Sequence, residues 1–497
     1  MYSMHPNLNL RLREAREGTQ ADTWSIECQD PANIDRRETI GGMSPSADLS
    51  HSVPQLLRDR FRLEAVADFK VSQDLSSDSG YFQFGPEAIC YGQCSSGAPA
   101  KSIADPRHDA SQHVATNGPY VRLPFDPLQI VKNLWCERYS TSSARAPRTV
   151  AGRFMVRDLY YLLRPLMPVA VRRPFQKLYF RGWENIPFPS WPVDRTVENV
   201  LERLLVVSMK HQQVRKLPFI WYWPEGAPSC TIVTHDVETS AGVAFCPQLM
   251  DLNDTFQIKS SFQIVPEKRY PVPPAFLENI RTRGFEVNVQ DLNHDGLLFS
   301  DREEFLRRAK QINAYAKEFD AQGFRSAVLY RNTDWYDALD FSYDMSIPNV
   351  AHLDPQRGGC CTVLPFLVGQ ILELPVTTTQ DYTLFQMLND YSTRLWERQI
   401  ALIRQKHGLI SFIIHPDYII DKAARRVYTE LLQRLANLRA EGQTWIALPR
   451  DVAAWWRIRS GLTLIKEGLT WRIEGHGSER ARVAYAVLDN DTLTYEF

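Results

Sequence analysis

The stretch Thr231 to Glu238 reads TIVTHDVE. Its apolar, β-branched pair Ile232 and Val233 predicts a buried strand that delivers His235, Asp236 and Glu238 at its C-terminal end. In α/β folds the chemistry sits at that end, where loops gather polar groups over the sheet. Further strand-like runs close in the same way: Glu286 to His294, Phe324 to Arg331, Ile371 to Pro375 and Leu409 to His415. Helical patterns lie between them, one of them opened by Ser300 and Glu303 in capping-box spacing. This alternation, from Phe219 to about Arg459, predicts parallel strands joined by crossover helices, as an α/β barrel or an open doubly wound sheet.

At 497 residues and 57.3 kDa the chain exceeds what one core usually holds, roughly 250–300 residues. Lys and Arg number 57 against 58 Asp and Glu, a balance that speaks against nucleic acid as a partner. Neither GxxxxGK[ST] nor GxGxxG occurs, which removes the usual nucleotide loops. The first twenty residues carry no apolar stretch behind their basic groups, and no run of about 18 apolar residues exists to span a bilayer. A cytoplasmic location is the expectation.

Five parts are expected: a disordered segment 1–52, a small β-rich unit 53–139, a linker and helical arm 140–218, the α/β barrel 219–460, and a β appendage 461–497 that could pair with the N-terminal unit. Asp126 and Asp194 are placed to cap helices, and Gly85-Pro86 to turn a hairpin. The basic stretch 156–181, broken by Pro165, Pro168 and Pro174, reads as a helical arm, with peripheral membrane contact as the alternative. Cys90 and Cys94 read as buried thiols rather than a redox or metal pair, since no His or third Cys is close in sequence.

Asp236 and Glu238, two apart, face one side of a strand, and such a pair suits a division between proton acceptor and metal ligand. Gln290 and His294 are four apart, and the imidazole is the better ligand of the two. Arg325 and Arg331 flank a strand, where a buried guanidinium either orients a carboxylate or pairs structurally. Glu373 and Pro375 read as a strand running into a turn, whereas His415, ending the most apolar strand, is placed to act as a general acid.

Taken in order, these pieces resemble the polysaccharide deacetylases of carbohydrate esterase family 4, the NodB-homology superfamily, over residues 228–458 or so. The resemblance implies a distorted (β/α) barrel of that type, here with β-rich appendages at both ends. It casts Asp236 as base, Arg325 as the group that orients it, His415 as acid, and Glu238 and His294 as ligands of a divalent metal, zinc first, with cobalt or manganese also suited. Gln290 stands where the family has its other histidine ligand. The implied activity is hydrolysis of N- or O-linked acetyl groups on a glycan or lipid-linked saccharide, with Trp335, Tyr336 and Arg331 expected against the sugar. Two outcomes stay open: a working site completed by the Gln290 oxygen and His235, or a catalytically impaired carbohydrate-binding protein.

Overall fold

The computed structural model describes residues 52–63, 66–140 and 180–497. The expected disordered segment 1–52 (but for its last residue), the linker 140–155 after Ser140, and the basic stretch 156–181 up to residue 179 lie outside them, and with that stretch the membrane contact proposed for it. Among the described residues, no helix is long and apolar enough to cross a membrane.

The described residues open with α1 (Ser52–Phe61), short strands β1 (Phe69–Val71), β2 (Gly80–Gln83), β3 (Ile89–Gly92) and β4 (Val121–Leu123), then α2 (Pro127–Trp135). β2 and β3 form the expected hairpin, turned through Gly85 at φ +82°, a left-handed conformation that costs glycine little. Asp126 caps α2 by accepting the Leu128 N–H at 2.9 Å. Strands this short bury too little to hold a core alone. Leu57, Phe61, Phe82 and Ile130 accordingly share one cluster with Leu204 of α3 (Thr196–His211), Phe219 of β5 (Lys216–Ile220) and Ala484 near the C-terminus. Asp194 accepts the Thr196 N–H at 2.8 Å at the start of α3. Here folding brings a histidine to a thiol that the sequence left alone: His108 Nε2 lies 3.5 Å from Cys94 Sγ, and both touch Ser96 Oγ at 3.0 Å.

The central sheet starts with β6 (Cys230–Val237), β7 (Ser261–Ile264), β8 (Glu286–Gln290), β9 (Gly323–Arg325) and β10 (Tyr343–Asp344), parallel neighbours in chain order. β11 (Phe366–Val368) turns back antiparallel onto β12 (Ile371–Glu373), which is parallel to β10. β13 (Leu409–Ile414) returns to the other side of β6, and β14 (Trp445–Ile446) pairs with its start. The sheet therefore curls, and the gap between β12 and β13 is bridged by irregular chain. Val376 N–H bonds Ile347 O at 3.0 Å, while Thr377 Oγ1 donates to Leu409 O at 2.7 Å and accepts Ser411 N–H at 2.9 Å. A threonine hydroxyl thus stands in for a backbone ladder, giving a distorted barrel.

Alternation fixes what faces where. Val233, Val237, Phe262, Val289, Phe324 and Phe412 point outward into the apolar layer formed by α4 (Ser240–Thr255), α5 (Pro274–Thr282), α6 (Arg302–Glu318), α7 (Arg394–Arg404) and the helix Lys422–Ala440. Asp236, Gln290 and Arg325 belong to the inward set. The cap of α6 is Asp301, which accepts the Glu304 N–H at 2.9 Å, rather than Ser300, whose hydroxyl turns back to Leu297 O. The C-terminal strands also differ from expectation. β15 (Thr463–Glu467) and β16 (Thr470–Glu474) pair with each other, and β17 (Val483–Asp489) lies between β18 (Thr492–Glu496) and β5, the chain just before the barrel, not the N-terminal hairpin. β5 offers an unpaired edge with alternating apolar side chains, and that is what the last strands cover.

At the start of β8, Glu286 is a structural acid rather than a site residue. It is buried, with Asn288 Nδ2 at 3.2 Å, the Arg450 N–H at 3.3 Å and the Tyr343 hydroxyl on the same oxygen as Asn288. Burial pushes its carboxyl up from 4.5 to about 7 against those hydrogen bonds. Between these two values the folded chain holds a proton that the unfolded chain lacks, so this group's contribution to stability falls as pH rises through that window. Glu286→Gln is expected to raise unfolding stability at pH 8 by about 1–3 kcal/mol and to leave it unchanged at pH 4, as read by urea titration.

Candidate functional site

At the C-terminal mouth of the barrel, β6 brings Asp236 and Glu238 to one pocket, β8 and its exit loop bring Gln290 and His294, β9 brings Arg325, and β13 brings His415. Asp236 is 4% exposed and Arg325 fully buried. Arg325 Nη1 lies 3.4 Å from both Asp236 oxygens, and its other terminal nitrogen donates to Thr234 Oγ1 at 3.1 Å, which fixes the fork. The sequence-derived base and its orienting arginine are therefore neighbours. His294, in a left-handed turn at φ +55°, places Nε2 2.7 Å from Glu238 Oε1, and His415 Nε2 is 3.4 Å from the same oxygen.

The residue that sequence reasoning missed is Asp381. Fully buried, it accepts the His415 Nδ1–H at 2.6 Å with one oxygen and the His415 backbone N–H at 2.7 Å with the other. This sets the tautomer and turns Nε2 toward Glu238. Its only trace in the sequence is an acid in the polar turn TTTQDY, just beyond the strand that ends at Glu373.

The charges of the cluster follow from burial against neighbours. Burial lifts Asp236 above the usual carboxylate range, and Arg325 and His415 offset only part of that. For Glu238 burial pulls the same way, but His294 and His415 overcome it and hold the carboxyl well below its ordinary value. His415, disfavoured as a cation by burial, is raised well above the usual imidazole range by Asp381 and Glu238. The site thus holds a basic carboxylate beside a protonated imidazole, the arrangement that proton transfer in both directions needs.

Four expected residues lie elsewhere. His235 points outward, because its neighbour Asp236 points in. Its Nε2 meets Asn253 Nδ2 at 2.9 Å, and burial pushes the ring down to about 3, so it stays neutral. Arg331 is locked in a buried ion pair with Glu137, with Nε 2.6 Å from the carboxylate. Trp335 packs on Phe305 at 5.4 Å in the outer apolar layer. Tyr336 is buried with its hydroxyl toward Asp344 and Glu373. These side chains could not be assigned to a sugar from sequence, since apolar packing and ligand stacking call for the same residue types.

No family model matches the chain. No curated protein matches it either. Among solved structures it is similar to a protein assigned as a polysaccharide deacetylase from Mycobacterium smegmatis, with 18% identity over 48% of this chain and 93% of that one, at a TM-score of 0.40. It is also similar to the peptidoglycan deacetylase PdaC from Bacillus subtilis, with 11% identity over 46% of this chain and 93% of that one, TM-score 0.31. For the chitin deacetylase from Colletotrichum lindemuthianum the identity is 11% over 46% of this chain and 89% of that one, TM-score 0.30.

Asp236, Glu238 and His415 each place a candidate ligand atom within 4.8 Å of one another, a group able to hold a metal ion only with His415 Nε2 unprotonated. Orphaned atoms test the fit. Among the described residues, Gln290 Oε1 and both ring nitrogens of His294 are buried without a hydrogen-bond partner, although His294 Nε2 stands 2.7 Å from Glu238 Oε1. An imidazole lone pair that crowds a carboxylate without bonding to it suits a cation between them. Gln290 has instead turned its amide nitrogen to the acids, 3.2 Å from Asp236 Oδ2 and 3.2 Å from Glu238 Oε1. Turning the amide over would offer Oε1, which is favourable beside two carboxylates only with a cation present. Gln290→His is expected to tighten zinc binding by roughly tenfold or more and His294→Ala to abolish it, as read by titration calorimetry or by the absorption of bound cobalt.

Proposed function

We propose that the chain is a metal-dependent hydrolase that removes N- or O-linked acetyl groups from a glycan or glycan precursor, built on a distorted barrel of the polysaccharide deacetylase type. The observation that carries this reading is the opposed pair Asp236–Arg325 and His415–Asp381 across one buried mouth. The order of motifs along the sequence supports it independently. A divalent cation, zinc by preference, would be held by Glu238, His294 and the Gln290 amide oxygen, leaving Asp236 as the base, and would polarise the acyl carbonyl and acidify a water.

The chain's own residues divide the proton work. Asp236, steadied by Arg325 and with its basicity raised by burial, takes a proton from the water that attacks the acyl carbon. His415, charged and aimed by Asp381, gives its Nε2 proton to the departing amine or alcohol as the C–N or C–O bond breaks, leaving acetate. Gln290 is the point on which the alternative turns: with its amide nitrogen engaged by both acids, the same pocket would bind a saccharide without turnover.

Zinc-, cobalt- or manganese-loaded protein is expected to release acetate from N-acetylated or O-acetylated oligosaccharides. Asp236→Asn and His415→Ala should each abolish release, and Asp381→Asn should lower kcat by about a hundredfold with KM little changed. The pH profile of kcat/KM should be bell-shaped, with its acid limb above the ordinary carboxylate range near 4 and its basic limb above about 6.5. Absence of acetate under every metal tried would overturn the hydrolase reading, and saccharide affinity insensitive to chelator would establish the binding-only alternative.

A further inference from the structure

The two histidines at the mouth are held in different ways. Asp381 accepts the Nδ1–H of His415, whereas Nδ1 of His294 is buried and meets no hydrogen-bond partner among the described residues. A ligating imidazole is ordinarily turned and held by a bond at its other ring nitrogen. His294 must instead take its aim from its backbone, and that backbone is in a disfavoured state. The angle φ is +51° at Asp291 and +55° at His294, left-handed values at which a Cβ crowds the chain.

What holds this loop comes from the next helix. The buried residues of α6 are Phe305, Arg308, Ala309, Ile312 and Ala316, an apolar stripe with one guanidinium in it. Burying that charge is costly unless it is fully paired. Arg308 is 6% exposed, and all three of its guanidinium nitrogens are engaged. Nη1 and Nη2 grip the two Asp295 oxygens at 2.7 and 2.9 Å, Nη1 also reaches Asn293 Oδ1 at 3.4 Å, and Nε donates to Glu304 Oε1 at 2.6 Å.

Asn293 and Asp295 are the residues on either side of His294. Their side chains also turn the backbone: Asn293 Oδ1 accepts the Asp295 N–H at 3.3 Å, and Asp295 Oδ1 the Leu297 N–H at 2.9 Å. The spacing of Asp291, Asn293, Asp295 and Gly296 is one that gathers oxygens on calcium in other loops. Here the oxygens of Asn293 and Asp295 converge on an internal cation instead, while Asp291 Oδ1 is taken by the Leu292 N–H at 2.6 Å.

We propose that Arg308 is a positioning residue for the metal site, clamping the two residues that flank His294 and so aiming that imidazole at the cation's place beside Glu238. The clamp depends on the planar fork of a guanidinium and not on charge alone, so lysine does not replace it. This role rests on the metal-dependent reading for its ligand, but Arg308 and Asp295 lie outside the ligand and proton-transfer sets.

The test is metal binding by the full chain, read by the absorption of bound cobalt and by zinc calorimetry rather than by turnover. Arg308→Lys and Asp295→Asn are each expected to weaken both metals by about tenfold or more, measured well below the unfolding midpoint of each variant. Arg307→Ala removes exposed contacts with Glu304 and Gln311 and should bind both metals as the unmodified chain does. A guanidinium that merely steadied α6 would lower the unfolding midpoint without moving metal affinity. Should Arg308→Lys fail to fold, Asp295→Asn decides. Unchanged affinity in the clamp variants, or an equal loss in Arg307→Ala, would overturn the clamp and leave the metal site standing. No metal bound by the unmodified chain would overturn both, whereas clamp-dependent binding without acetate release would uphold the clamp and sink the hydrolase.

Discussion

A carboxylate taken out of water stays ionised only if the fold supplies a positive partner, and Asp236 is such a carboxylate. Its partner Arg325 comes from a strand 89 residues later and reaches it only because β6 to β9 lie side by side in order. Glu238 and Asp381 add two more acids to the same mouth, His415 lying against both and His294 against Glu238. The site is thus a cluster of acids and their partners in a low-dielectric place, and the strand order around the barrel is what brings its halves together. Closure matters for the same reason. The irregular chain Val376 to Thr379 joins β12 to β13 and leads directly into Asp381, so a regular ladder there would have carried the acid elsewhere.

Gln290 sits at the balance point of that cluster. As a neutral donor to both acids it eases their repulsion without a metal, at the cost of an unbonded amide oxygen. A cation would do the same work more strongly and would turn the amide over. One side chain therefore divides two electrostatic solutions for the same geometry, and a single histidine would tilt the choice.

Much of the fold was legible because strands buried on both faces read as apolar runs and their polar exits stand out. Asp236, Arg325 and His415 stand out this way at strand ends and His294 in the loop that leaves β8, and the fold brings the four to one mouth. Asp381 was not, since an acid in a turn is ordinary until the histidine it holds is known. The aromatic residues misled in the opposite sense: Trp335 and Tyr336 follow a candidate motif yet pack in the interior. The cap at Asp301 instead of Ser300 shows how little separates two good N-cap residues one position apart.

Local sequence sets the alternation of strands and helices, the inward set of polar residues at strand ends, and the acids and imidazoles available for chemistry. These depend on periods of two and 3.6 residues, which are local properties. Tertiary structure decided the partners: Arg325 for Asp236 but Glu137 for Arg331, Asp381 for His415, the amide face that Gln290 shows to its acids, and β5 as the edge for the last strands. Such pairings join residues tens to hundreds of positions apart. They are chosen by which desolvated charges and open edges the packed barrel brings within reach, a property of the closed chain and of no segment within it.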